Sequence, residues 1–335
     1  MTAAQTLPQN ALQKPKGRLL MTFLVTLGMG ILLFLPFIIM DRGYSIYYGD
    51  FNVQQIAFYR LAHDCVREGN LFWNWTTDLG ANFIGSYSFY LLGSPFFWLT
   101  LPFPSAAVPY LMGPLLMLKF ACAGTAAYAL LRRFVRPNLA MLGGILYAFS
   151  GFSIYNVFFN HFHEAIVYFP LMLLGLELYM KDNRRGFFAL MVFFSALSNY
   201  YFFIGQVFFI LIYWFVRMFS GEWECTVSKF LWLGFEAVVG TAGATVFLLP
   251  SYFAVVQNPR TESLIAGWDF LLYSKPQRIW DILHSFFFPQ DIPARENFFP
   301  DSDNKWSSMS AWLPVFGCSG AIAYFQSRKH SDWLH

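Results

Sequence analysis

The chain has 335 residues, of which 57% are hydrophobic and 21% aromatic while only 12% are charged; soluble domains carry roughly twice that charged fraction. A net charge of +3 carried by dispersed basic residues excludes the basic footprint of a nucleic-acid-binding protein. The four cysteines (Cys65, Cys122, Cys225 and Cys318) are far apart, which excludes a metal-ligand spacing and argues against a disulfide framework.

Taken in chain order, residues 1–18 read as a polar cytoplasmic tail. Leu19 to Met40 supplies the roughly 20 apolar residues that a span needs, is longer than the apolar region of a cleavable signal, and lacks a small-residue cleavage site. Lys14, Lys16 and Arg18 precede it, so it reads as a signal anchor with a cytoplasmic N-terminus. Further apolar runs follow at Ala106–Leu131, Leu139–Phe159, Ala165–Met180, Phe187–Gly205, Gln206–Phe219, Phe230–Pro250 and Ala311–Phe325. The runs are continuous rather than alternating, which predicts helices and not a barrel. The expectation is an all-α polytopic membrane protein of about eight transmembrane helices over residues 19–327, closed by a cytoplasmic stub at 328–335. Residues 187–219 are too long for one crossing at ~1.5 Å per residue. They read as a hairpin of two short helices broken at Ser198-Asn199-Tyr200-Tyr201, with the polar break facing a cavity.

The basic residues test this topology. It places Lys14, Lys16, Arg18, Arg132, Arg133, Arg136, Lys181, Arg184, Arg185, Arg217, Lys229, Arg328 and Lys329 on the cytoplasmic side, mostly in very short loops, and leaves Lys119 alone within a span. That is the positive-inside pattern. Two long extracytoplasmic loops remain, at about 41–105 and 251–310. In the first, Phe51–Glu68 sets Val53, Ile56, Ala57, Leu61 and Cys65 at helical spacing before Gly69, which predicts an amphipathic helix lying on the membrane surface. Tyr87–Leu101, interrupted by Gly93-Ser94-Pro95, is too short to cross and is read as dipping in or lying flat.

Asp50 opens that loop helix. It is either the helix N-cap, a position Asp favours, or a carboxylate at the bilayer surface that takes a proton from a hydroxyl; both can hold together, and Val53 at N3 gives no capping box. Asn160-His161-Phe162-His163-Glu164 reads as a short outer turn. Its two imidazoles and carboxylate can bind a divalent metal or a phosphate or relay a proton, against the plainer reading of a solvated polar turn. His at i and i+2 is a poor helical metal spacing, which favours an active-site turn opposite Asp50. Lys119 within a span marks either function or a partner from another helix. Glu177 four residues before Lys181 reads as a snorkelling pair, and Glu236 as reaching the cytoplasmic surface. Arg260, Lys275 and Arg278 can clamp a phosphate or serve as surface charge. Asn74-Trp75-Thr76 fits the N-glycosylation triplet.

The run Asp50-x-x-x-Gln54, then Gly69-Asn70, Trp73-Asn74-Trp75, Leu79-Gly80 and Tyr90 with Ser94-Pro95, resembles the bacterial YfhO-like membrane proteins. Tyr147-Ala148-Phe149-Ser150-Gly151-Phe152, Ala196-Leu197-Ser198-Asn199-Tyr200-Tyr201 and Leu249-Pro250-Ser251 with Arg260 continue the resemblance in the same order, over roughly residues 19–327. The position after Gln54 departs from it, being Gln55 where that family often has an aromatic residue. The resemblance implies a GT-C-like fold and transfer of a sugar from a polyprenyl-phosphate carrier, on the extracytoplasmic face, to a cell-surface polymer such as a teichoic acid. It also implies that the chain is an N-terminal portion of a longer enzyme. The acid of the first outer loop then maps onto Asp50. On that reading Gln54 holds the sugar or the carboxylate, His161, His163 and Glu164 line the site, and Arg260 or Arg278 stabilises the leaving phosphate. The expected partners are the lipid-linked sugar donor, the polymer acceptor and the bilayer. The alternatives are a transporter or lipid flippase, favoured by Lys119 and the 198–201 break, and a non-catalytic scaffold.

Overall fold

The computed structural model describes residues 15–45, 47, 49–77, 79–256, 277–288, 312 and 315–326. Helices dominate, as a lipid solvent requires, because every backbone polar group must be satisfied within its own segment. Helix α1 (Pro15–Met40) packs on α5 (Val108–Leu131) and α6 (Pro137–Ala148); α5 also packs on α8 (His163–Asp182), and α8 on α9 (Phe187–Ser198). The short α7 (Gly151–Tyr155) links α6 towards α8; α10 (Tyr200–Phe219), α11 (Val227–Gly243) and α12 (Thr245–Val256) complete the bundle, with further described helices at Gln277–Ser285 and Val315–Gln326. The backbones of α5 and α6 approach closely through small residues: a Cβ on Gly144 would lie 2.5 Å from the Gly124 carbonyl oxygen. Membrane helices associate largely through such contacts, since burial from lipid offers no hydrophobic gain.

Among the described residues, five helical stretches are long and apolar enough to cross a membrane, and the pair α11–α12, bent by 69° between its halves, is long and apolar enough to be a sixth when taken as one span. Helix α9 and the Val315–Gln326 helix have 12 residues each, about 18 Å at the helical rise, against a hydrocarbon core of about 30 Å. The break in 187–219 falls where expected, but α10 runs unbroken from Tyr200, so the Gly205/Gln206 boundary is corrected. Asn199 makes the break: its extended backbone ends α9, and its side chain accepts from Phe202 N at 3.2 Å to start α10.

Two buried acids have partners that hydropathy could not show. Glu236, 3% exposed, does not reach the surface. It accepts from Gly186 N (2.8 Å), Ala189 N (3.1 Å) and Trp232 Nε1 (2.8 Å), so α11 supplies the N-terminal cap of α9. Replacing Glu236 with alanine orphans these donors and should cost about 1–3 kcal/mol, read as a shift in unfolding midpoint in mixed micelles; an unchanged midpoint contradicts the capping role. Glu177 is not paired with Lys181. It binds Arg217 Nε at 3.0 Å and accepts from the Tyr213 hydroxyl at 2.6 Å, while Lys181 pairs with Glu222 at 2.8 Å.

The segment between α1 and α5 forms a cap over one end of the bundle. One π-helical turn (Phe51–Gln55) runs into α2 (Ile56–Glu68), which Gly69 ends at φ 76°. A two-residue hairpin follows, β1 (Trp73–Asn74) on β2 (Ala81–Asn82), then α3 (Phe83–Tyr87), a second π turn (Ser88–Leu92) and α4 (Pro95–Trp98). The buried face of this first helix is Phe51, Gln55, Tyr59, Ala62, His63 and Cys65, whereas Val53 is 71% exposed. The stripe expected from Val53, Ala57 and Leu61 is therefore rotated, because polar Gln55 and His63 sit in the buried face and hide it from apolar periodicity. Asn74 is buried, donates to Cys65 Sγ at 2.7 Å and accepts from Thr76 N and Thr77 N; its triplet is a structural turn rather than an exposed acceptor. Gly93 lies directly against the Leu197 carbonyl, where any side chain would collide with backbone, and its own carbonyl accepts from Ser198 Oγ at 3.1 Å. This close approach locks the 83–98 segment onto the end of α9.

Candidate functional site beneath the first loop

Asp50 is half-buried at the start of the loop helix and makes no side-chain capping bond, so the reading of it as only a helix cap fails. Burial, and behind it the Asp50 carboxylate, raise the pKa of the Tyr90 phenol. The residue that reaches inward from the same helix is Gln55, not Gln54. In the π turn the backbone bond runs from Ile56 N to Phe51 O, an i→i+5 closure, so the residue in line with Asp50 is five positions on rather than four. Gln55 is fully buried and its Oε1 lies 3.3 Å from His161 Nδ1, a contact that orients the imidazole. Gln54 stays half-exposed.

The Asn160–Glu164 turn is not a solvated outer turn. Asn160, His161, His163 and Glu164 are all at most 3% exposed, and the two imidazoles diverge. His161 lies among the rings of Phe89, Tyr90 and Phe162, with centroids 4.9, 5.0 and 4.8 Å away, on the Asp50 side. His163 turns away, its Nε2 2.9 Å from the Ser153 carbonyl and its ring against Phe120. The pair that would have shared a ligand is therefore split. No group of three or more His, Cys, Asp or Glu side chains able to hold a metal occurs among the described residues.

Glu164 belongs to a layer below His161. Lys119 Nζ lies 2.7 Å from Glu164 Oε1, with side-chain exposures of 0% and 1%. Lys119 also donates to the Asn160 carbonyl (2.9 Å) and to Asn160 Oδ1 (3.0 Å), and stands over the Phe96 ring. Ser94 donates a short hydrogen bond to the same carboxylate oxygen. Asn199 Nδ2 donates to the His161 carbonyl at 3.1 Å, so the break between α9 and α10 helps to hold the turn. Buried polar atoms without a hydrogen bond gather here: Gln55 Nε2, the Tyr59 hydroxyl and Glu164 Oε2, and Tyr59 lies close enough to Asn160, Ser94 and Glu164 to feel them.

An apolar cleft of about 230 Å³ opens beside this end of the bundle, lined by Leu33, Phe34, Phe37, Ile38, Ile154 and Val157 with Ser45 and Tyr47 at its rim. Tyr47 N and O exchange bonds with the Asn52 side chain at 2.9 and 2.7 Å, which ties the cleft to the Asp50 loop. Arg260 lies outside the described residues, as does the side chain of Arg278, whose backbone opens the Gln277–Ser285 helix. Residues that sequence reasoning left out of the site are Gln55, Tyr59, Ser94 and Asn160, and it gave Lys119 to the rival reading. The available signal was the pair of opposite charges, Lys119 and Glu164, each at or near an otherwise apolar run.

These features define a multi-pass α-helical membrane protein with a capped, polar-cored bundle end. Its particular family follows from comparison. The model of the family described as bacterial membrane protein YfhO matches residues 21–292, and the chain belongs to that family. It is 25% identical over 240 residues to the uncharacterized protein YfhO of Bacillus subtilis (strain 168), covering 64% of this chain and 28% of that protein; the chain thus matches under a third of that relative's length. No solved structure matches it.

Proposed function

We propose that the chain carries the membrane module of a glycosyltransferase, which moves a sugar from a polyprenyl-phosphate carrier to a teichoic-acid-like surface polymer on the extracytoplasmic face. The observation that supports this most is the state of Asp50: a half-buried carboxylate without a capping bond, at the start of the helix whose Gln55 meets His161. A carboxylate there can take the proton of an acceptor hydroxyl as that oxygen attacks the anomeric carbon. The bond to the carrier's phosphate breaks as the new one forms, leaving its electron pair on the phosphate and inverting the sugar. Arg260 or Arg278 is assigned to that developing charge. His161, oriented by Gln55, is positioned to hydrogen-bond the sugar, and the apolar cleft ending at Tyr47 suits the carrier's hydrocarbon chain. His163 and Glu164 support the site from behind rather than contacting substrate, and Gln54 is left to the rim.

The direct test is to incubate the purified full chain, in lipid vesicles, with a polyprenyl-phosphate-sugar donor and an anionic surface polymer. Free polyprenyl phosphate and sugar-bearing polymer are the expected products. A donor that survives intact in the presence of folded protein contradicts the proposal.

A further inference from the structure

We propose that the hairpin Leu71–Leu79 is an interfacial anchor that seats in the headgroup region of the bilayer at the end of the bundle that carries Asp50. The proposal is independent of the reaction assigned above. Phe72 is 76% exposed, Trp75 75% and Leu79 95%, with Leu71 and Trp73 partly exposed beside them. In residues 69–82 the sequence carries one ionisable side chain, Asp78. An apolar display of this kind marks a binding surface rather than ordinary scatter.

The display is braced by contacts from within the hairpin. Asn74 turns its side chain inward onto Cys65 Sγ and the amides of Thr76 and Thr77. Trp73 meets Trp75 edge-on at 5.7 Å. Gly80, at φ 109°, lets the returning strand pass under both rings: a Cβ there would lie 2.9 Å from Trp73 Nε1.

Its place in the fold selects the partner. Just before the hairpin, the end of α2 is fastened to the start of the membrane-spanning α5 segment: His63 Nε2 and Arg67 Nη1 both bind the Phe103 carbonyl at 3.0 Å, and Ser105 Oγ donates to Asp64 at 2.9 Å. Just after it, α3 packs on α12, with Gly85 against Ala254 and the hydroxyls of Ser88 and Ser251 2.5 Å apart. Helix α12 exposes Leu249, Tyr252, Phe253 and Val256, so the hairpin continues an exposed apolar surface of the kind that faces lipid. Tryptophan is at home at the membrane interface, its ring in hydrocarbon and its N–H in the wet headgroup layer. A glycan platform would need polar side chains around the rings. Here Leu71, Phe72 and Leu79 offer only hydrocarbon, and the bonds of Asn74 are already made.

The test places an environment-sensitive fluorophore on Leu79→Cys, and separately on Phe72→Cys, with Cys122, Cys225 and Cys318 replaced and the buried Cys65 kept. The labelled full chain is put into phosphatidylcholine–phosphatidylglycerol vesicles holding nitroxide at the headgroup, at a shallow acyl position or at a deep one. The expected result is blue-shifted emission, quenched at least fivefold more by headgroup and shallow nitroxides than by the deep one, with little quenching by aqueous iodide. Emission as in water, quenched by iodide and not by any lipid nitroxide, overturns the proposal. Shielding from iodide only on addition of a soluble anionic glycan polymer would overturn it too and assign the hairpin to that polymer.

Discussion

Replacing Lys119 with methionine should cost about 3–5 kcal/mol, the usual penalty for removing one partner of a buried ion pair and leaving the other charge behind. Glu164 is 1% exposed, so its carboxylate cannot turn to water. Asn160 would at once lose the donor on both its carbonyl and its side-chain oxygen. The double change Lys119→Met with Glu164→Gln should recover most of the loss, because it removes both charges and keeps an oxygen for Ser94 to donate to. Equilibrium unfolding in mixed micelles separates the outcomes. A single-variant cost below about 1 kcal/mol, or equal costs in the single and double variants, would show that the pair is not coupled in the way its 2.7 Å contact indicates.

Asp50→Asn should do the reverse: leave the fold intact and stop the chemistry. Asp50 makes no capping bond, so stability should change by no more than about 0.5 kcal/mol, the range of surface substitutions away from special features. Sugar transfer should fall by roughly 10²–10⁴-fold, the usual worth of a positioned acid–base group. Gln55→Ala should lower transfer less, acting through the orientation of His161, while Gln54→Ala should change it little. The contrast between adjacent glutamines is a consequence of the π turn.

The long helices were readable because their signal is local. Leu19–Met40 and Ala106–Leu131 nearly coincide with α1 and α5, and the single polar interruption near Asn199 marked the break between α9 and α10. The segment 87–101 forms short helical pieces rather than one long helix, and what anchors it, Gly93 against Leu197, involves residues about a hundred positions apart. The polar layer was legible as residues but not as an arrangement. Hydropathy sees Asn160–Glu164 as a hydrophilic turn at the edge of a run and places it in water; its burial depends on Lys119, Ser94 and Asn199 arriving from three other segments. The shift from Gln54 to Gln55 was hidden for another reason. A helical wheel assumes 3.6 residues per turn, and one π turn displaces the inward position by a residue. Glu177 and Glu236 likewise looked like edge charges because their partners, Arg217 and the amides of α9, are long-range.

Lys119 no longer favours a transport path, since its charge is already matched by Glu164 and Asn160. A transporter needs its polar groups exchanged between two openings around a midplane site, whereas the proposed reading gives the reacting role to Asp50, half-buried at the start of the loop helix. The most direct test follows the carrier-linked sugar itself. Sealed vesicles containing the full chain receive labelled polyprenyl-phosphate sugar in one leaflet, and both the chemical state and the leaflet of the label are measured. The account predicts covalent release of the sugar from the carrier, lost in Asp50→Asn and largely kept in the charge-neutral Lys119→Met with Glu164→Gln variant. Label that crosses the bilayer still attached to its carrier, at a rate unchanged in Asp50→Asn, would contradict it.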